Sequence, residues 1–268
     1  GVTRWTDMGG FQSVKVDSDD VVRNTSESKN QDSCIASGLS LYAWESYDVA
    51  GALEGVFCSV IDSTSGAVFQ SNTLIDATAI NPRCVALGPN PTLVYLDTSA
   101  SPYVMKTVQV DINNPISFNA SSTIVSNVNA TNPNYDVAVN SADADAGNAV
   151  FAYNTSATTT LGVGYITTDG VVGGPANGFP GAVTFGSTNS NDFITLCTDR
   201  VNTDPTQSER VYVAYSSRTA SAGLKIKRIK STLTVEATHT VEGSATEITG
   251  ASVIITQAGD LQIIYTMS

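Results

Sequence analysis

The sequence predicts an all-β chain, a five-bladed β-propeller whose N- and C-terminal strands pair within one blade. Three observations carry this prediction. A four-strand unit recurs along the chain, the chain ends in half of such a unit, and it begins with the other half.

The most regular element is an aromatic strand ending in small polar residues: "LYAWES" to Ser46, "LVYLDT" to Thr98, "VFAYNT" to Thr155, "VYVAYSS" to Ser217 and "LQIIYTMS" at the C-terminus. Aligned by these endings, Trp44, Leu96, Tyr153, Tyr215 and Tyr265 share a column, at spacings of 52, 57, 62 and 50 residues. A small-residue strand precedes each: "CIAS" at 34, "CVAL" at 84, "DVAV" at 136, "ITLC" at 194 and "SVII" at 252. A third strand follows each of the first four, with Ile61, Val110, Ile166 and Ile229 in register. Behind it "DSTSG", "DINNP" and "TTDG" supply the Asp, Asn, Gly and Pro that tight turns require, and a fourth strand completes the unit.

The C-terminal "GDLQIIYTMS", residues 259–268, stops after the second strand of a fifth unit. "FQSVKVDSDDVVRNT", from Phe11, supplies a third and fourth, with Val16 and Asp17 in the column of Ile61 and Asp62. Joining both ends in one blade closes the ring and removes two unpaired edges. A two-sheet sandwich is the alternative architecture. Residues 1–268 read as a single propeller domain. A chain starting at Gly1 also suits an insertion in, or a fragment of, something longer.

Composition narrows the function classes. With 25 acidic and 13 basic residues the formal charge is −12, which opposes binding to a phosphate backbone. Cations gather once, in "LKIKRIK", residues 224–230, where Lys225, Lys227 and Lys230 separated by Ile226 and Ile229 read as a lysine-protected edge strand. No run approaches the ~20 apolar residues of a membrane helix, and no basic-then-apolar leader opens the chain.

Candidate chemistry is sparse. The single histidine, His239, excludes a His-pair zinc site and reads as a surface residue of an outer strand. Asp32 and Asp136, on inner strands, and Asp199, just past one, are the carboxylates that could pair for glycoside hydrolysis in a central funnel. Asp143 and Asp145 in "NSADADAGN" match part of a calcium loop, but the third acidic position and the closing Glu are missing, so a hairpin loop is the better reading. Cys34, Cys58, Cys84 and Cys197 form no C-x-x-C pair and read as buried free thiols. Cys34, Cys84 and Cys197, on equivalent strands, are the alternative soft-metal set, weakened by unequal offsets from the aromatic column. Sequons occur at Asn24, Asn119, Asn129 and Asn154, and there is no Gly-rich phosphate loop. These patterns assign no catalytic, cofactor-binding or metal residue, and no cofactor is expected.

The run "GLSLYAWES…GVFCSVIDSTSGAVFQ…INPRCVALG…LVYLDT", residues 38–98, resembles the β-propeller of bacteriophage tail structural proteins. It is similar to the propeller inserted in the nozzle, or tail tubular, proteins of short-tailed phages, and "NYDVAV" and "YITTDG" continue the likeness. The resemblance implies a non-enzymatic component of the virion tail, assembled in the bacterial cytoplasm. Its partners would be other tail subunits and a homo-oligomeric ring, with no membrane segment and no sequence-specific nucleic-acid binding. The alternatives are a carbohydrate- or receptor-binding propeller and a secreted five-bladed glycoside hydrolase. For these the sequence offers no "WMNDPN"-like signature and two tryptophans, Trp5 near the start and Trp44 expected in the core.

Overall fold

The computed structural model describes residues 25–113, 115–139, 148–157, 160–173, 182–186, 193–198, 210–216, 223–230, 235–243, 248–256 and 260–267. Among them all regular structure is β, and no helix is long and apolar enough to cross a membrane. The strands form successive antiparallel sheets in the predicted order, a propeller-like arrangement.

The first sheet holds β1 (Thr25–Ala36), β2 (Leu39–Asp48), β3 (Leu53–Asp62) and β4 (Val68–Asp76). The second holds β5 (Ala79–Leu87), β6 (Asn90–Asp97) and β7 (Tyr103–Asp111), and its outer strand is broken into β8 (Ser117–Phe118) and β9 (Ser122–Val128), both paired with β7. The third contains β10 (Tyr135–Val139), β11 (Ala149–Asn154), β12 (Thr160–Ile166) and β13 (Ala182–Gly186). The fourth contains β14 (Phe193–Thr198), β15 (Arg210–Ser216), β16 (Leu224–Lys230) and β17 (Val235–Glu242). A fifth sheet pairs β18 (Ile248–Ile255) with β19 (Leu261–Met267). The inner strands β1, β5, β10, β14 and β18 lie against one another in that order.

Local chemistry explains the hairpins. Asp48 Oδ1 accepts the N–H groups of Ala50 and Ala52, both at 2.8 Å, and Asp62 Oδ1 accepts those of Thr64 and Ser65 at 2.9 and 2.6 Å. Gly51 and Gly66 then take the positive φ that closes each turn, 81° and 74°.

Each sheet has a rear face, toward the preceding sheet, and a forward face, toward the following one. Apolar side chains fill the gaps between faces as a series of cores. Leu41, Ala43, Val56 and Val60 of the first sheet pack with Leu93, Tyr95 and Val108 of the second. Val94, Leu96 and Met105 of the second pack with Tyr135, Phe151 and Tyr153 of the third. Ala152, Leu161 and Val163 meet Tyr215, and Ala214, Leu224 and Ile226 meet Tyr265.

This packing corrects the aromatic column in one place. Leu96 points forward, whereas Tyr95 points back, as Tyr153, Tyr215 and Tyr265 do. The true column is therefore Trp44, Tyr95, Tyr153, Tyr215 and Tyr265. Trp44, 7% exposed and stacked on Phe57 at 6.4 Å, occupies the rear face of the first sheet. The reading of "LKIKRIK" as an edge also needs correction. It is β16, flanked by β15 and β17, and Lys227 is buried with its ammonium 5.8 Å from the Tyr215 ring centre. Burial, reinforced by Lys225, pushes the Lys227 pKa down.

Candidate functional site

The inner strands present one polar row. Opposite the residue that precedes each aromatic of the column stand Asp32, Arg83, Asp136, Thr195 and Ser252, paired with Ala43, Val94, Ala152, Ala214 and Ile264. Because the register is the same in all five sheets, so is the facing: the row points forward.

Asp32 and Asp136 use this position alike. Asp32 Oδ1 accepts the N–H of Ser33 and Oδ2 the N–H of Cys84 on the next inner strand, both at 2.8 Å. Asp136 Oδ2 accepts the N–H of Leu196, again on the next inner strand, at 2.9 Å, and Val137 and Thr195 also donate to its carboxyl. These carboxylates latch the first sheet to the second and the third to the fourth. Burial pushes the Asp136 pKa up, against the hydrogen bonds and the Arg83 guanidinium, whose Nε lies 4.0 Å from Oδ1.

Between the second and third sheets the latch is different. The Tyr135 hydroxyl, with one proton to donate, sits between the carbonyls of Val94, at 3.0 Å, and of Asn81. Asn81 and Asn30 sit at equivalent bulges of β5 and β1, with φ of 51° and 48°. The left-handed region favours Asn among residues with a side chain. The buried Glu45 carboxylate accepts from both bulges, from Asn30 Nδ2 at 2.8 Å and from the Asn81 N–H, while its other oxygen takes the Tyr47 hydroxyl at 2.8 Å.

On the first sheet a cleft of about 470 Å³ opens beside this network, lined by Ser28, Gln31, Asp32, Ser33, Tyr42 and Trp44. It combines aromatic surface, an amide and hydroxyls, and Asp32, whose carboxylate is held forward by two backbone N–H groups, stands at its border. Asp136 is absent from this lining, so the structure does not bring the two inner-strand acids into one pocket.

The remaining candidates fall out plainly. Asp199, Asp143, Asp145, Asn24 and Trp5 lie outside the described residues. His239 is exposed on β17, as expected. Asn129 and Asn154 are buried, with Asn129 Oδ1 capping Thr131 and Asn132 at 2.9 and 3.0 Å, so those two sequons are closed to glycosylation; Asn119 is exposed. All four cysteines are free, but only Cys58 is fully buried. Cys34 and Cys197 follow the polar row by two residues and point forward, whereas Cys84 follows by one and points back. The equivalence assumed for a three-cysteine metal set therefore fails, and no cluster of three metal-ligating side chains occurs among the described residues.

No protein-family model and no curated protein sequence matches the chain. Solved structures do. The chain is similar to an exo-β-1,3-galactanase from Clostridium thermocellum, with a TM-score of 0.51 and 11% identity over 89% of this chain and 54% of that one. A Phanerochaete chrysosporium exo-β-1,3-galactanase with galactose gives 0.51 and 10% over 89% and 56%. The Aleuria aurantia lectin in complex with α-methyl-L-fucoside gives 0.54 and 9% over 88% and 69%. The chain thus spans about half the length of these galactanases. At such identities the likeness is one of fold, all-β and propeller-like. It overturns the expectation of a non-enzymatic phage-tail component: the matching folds belong to glycan-cleaving and glycan-binding proteins, and nothing in the comparisons indicates a tail protein.

Proposed function

We propose that this chain is a carbohydrate-active β-propeller that takes a glycan into the cleft beside Asp32, with cleavage of a glycosidic bond as the activity. The observation that carries this reading is the lining of that cleft. Tyr42, with the largely buried Trp44 beside it in the lining, offers a ring to the apolar face of a sugar, while Gln31, Ser28 and Ser33 offer donors and acceptors to its hydroxyls and Asp32 borders them. The fold shared with two galactanases and a fucoside-binding lectin supports it. Hydrolysis needs a second carboxyl near Asp32, and the inner-strand acid Asp199 is the residue to test for that part, with Asp136, which latches another seam, as the comparison.

The experiment is a glycan-array screen, followed by hydrolysis assays on β-1,3-galactan and fucosylated oligosaccharides with wild type, Asp32→Asn, Trp44→Ala, Asp136→Asn and Asp199→Asn. Binding lost in Trp44→Ala, and turnover lost in Asp32→Asn, are expected. A wild-type protein that neither retains nor cleaves any glycan refutes the proposal.

We further infer that the ring has five blades and is closed by residues 11–24. Support comes from the fifth sheet, which among the described residues has two strands where the others have at least four. Its forward face exposes Ile254 at 48% and Ile264 at 71%, and the rear face of the first sheet exposes Ile35 at 64%, apolar surface that closure would cover.

A further inference from the structure

We propose that Cys34 and Cys84 form a redox-active dithiol that closes into a disulfide joining the first two sheets. The two residues meet because they project from adjacent inner strands into the same gap, Cys34 forward from β1 and Cys84 back from β5, and both border the core between these sheets. The Asp32 latch fixes their relation. Asp32 Oδ2 holds the Cys84 N–H at 2.8 Å, and the Cys84 thiol lies 3.5 Å from the Asp32 carbonyl, two residues from Cys34 along β1. The Cys34 and Cys84 side chains lie close enough for each to shift the titration of the other. Both are partly open to solvent, unlike Cys58.

The two sulfurs differ in role. The adjacent Cys84 side chain, the largest influence, holds the Cys34 pKa below its ordinary value in spite of burial. The same neighbour relation and burial push Cys84 well up, and burial pushes Cys58 up. Cys34 is therefore the attacking thiolate and Cys84 the resolving thiol.

With a low-molecular-weight disulfide as oxidant, the Cys34 thiolate attacks one sulfur, the oxidant's S–S bond breaks, and one thiolate leaves carrying the electron pair. Cys84 then gives up its proton and attacks the Cys34 sulfur, forming the protein disulfide and expelling the second thiolate. The protein loses two protons and two electrons, and the oxidant becomes two thiols. The bridge spans residues 34 to 84 and ties the strand that carries Asp32 to its neighbour.

The test incubates the folded full chain with glutathione disulfide, alkylates the remaining thiols and maps peptides without reduction. The expected result is a Cys34–Cys84 linked peptide pair, an intact mass lower by two hydrogens, and a melting temperature above that of the reduced protein. Cys58→Ser and Cys197→Ser keep the link, while Cys34→Ser and Cys84→Ser abolish it. The wild-type map decides the matter even where a variant folds poorly. Full alkylation of both Cys34 and Cys84, a mixed disulfide at Cys34 that never resolves, or a link from Cys34 to Cys58 overturns the proposal.

Discussion

Asp136 offers a sharp test of how the sheets are held together. Replacing it by Ala removes the acceptor of the Leu196 N–H and leaves that donor, at a partly buried seam, without its carboxylate. A hydrogen bond to a charged group, or the orphaning of its partner, is worth about 2 to 3 kcal/mol. For a chain of this size that corresponds to a fall in melting temperature of about 4 to 12 °C. Asp136→Asn behaves differently, because the amide oxygen still accepts from Leu196 while the buried charge is gone. Burial raises the Asp136 pKa above the unfolded value of about 3.9, so the folded state favours the protonated form. The contribution of the native carboxyl is then fully present below about pH 3.9 and is lost as pH rises through the folded pKa. Asn, which cannot ionise, should gain on wild type as pH rises through that value. Thermal unfolding followed by circular dichroism for both variants at several pH values decides the point. An Asp136→Ala protein that melts with wild type, or an Asn variant that falls as far as Ala at neutral pH, would refute the latch.

Two further outcomes follow from particular contacts. Asp97 is held well below the usual carboxylate range: burial opposes this, but the Lys106 ammonium at 2.7 Å, the Ser99 N–H at 2.8 Å and the Thr78 hydroxyl at 2.9 Å outweigh it. Its stabilisation is therefore complete above the unfolded pKa and is lost as pH falls through the folded one. Asp97→Ala should cost about 3 kcal/mol at pH 7, the low end for a broken buried pair because Lys106 keeps 23% of its side chain exposed, and should flatten the acid limb of the stability curve. Acid titration of the two proteins checks this, and parallel curves would contradict it. If residues 11–24 close the ring, deleting residues 1–24 should lower the melting temperature and increase binding of a hydrophobic dye to the surface around Ile254 and Ile264; an unchanged melting temperature would argue against closure.

The strand families were legible because each carries its own signal: small residues on the inner strand, an aromatic on the second, Asp and Gly after the third. Facing was less legible where neighbours are equally apolar. Tyr95 and Leu96 are both fully buried, so alternation cannot tell forward from rear, and only their packing, Tyr95 against the first sheet and Leu96 against the third, assigns them. Asp32 and Asp136 stood out as inner-strand acids, but their acceptors' donors come from 52 and 60 residues away, Cys84 and Leu196, beyond the reach of local pattern. The cleft was illegible for a related reason. Ser28, Gln31 and Tyr42 are unremarkable strand residues until β1 and β2 place them around Asp32. "LKIKRIK" misled because a lysine in a flanked strand is unusual, and here an aromatic ring shelters Lys227.

The directional packing of the sheets has an architectural meaning. Every described junction sets an aromatic of the later sheet into aliphatic side chains of the earlier one, so each sheet behaves like a tile with a plug on one side and a socket on the other. At their apolar joints such tiles follow one pattern, while the polar latches beside them differ from seam to seam. Chemistry at the seams then does not dictate how many tiles are laid; that number is left to the angle each tile turns through and to how many the gene repeats. A chain of this kind can gain or shed a unit during evolution while every remaining seam stays complementary.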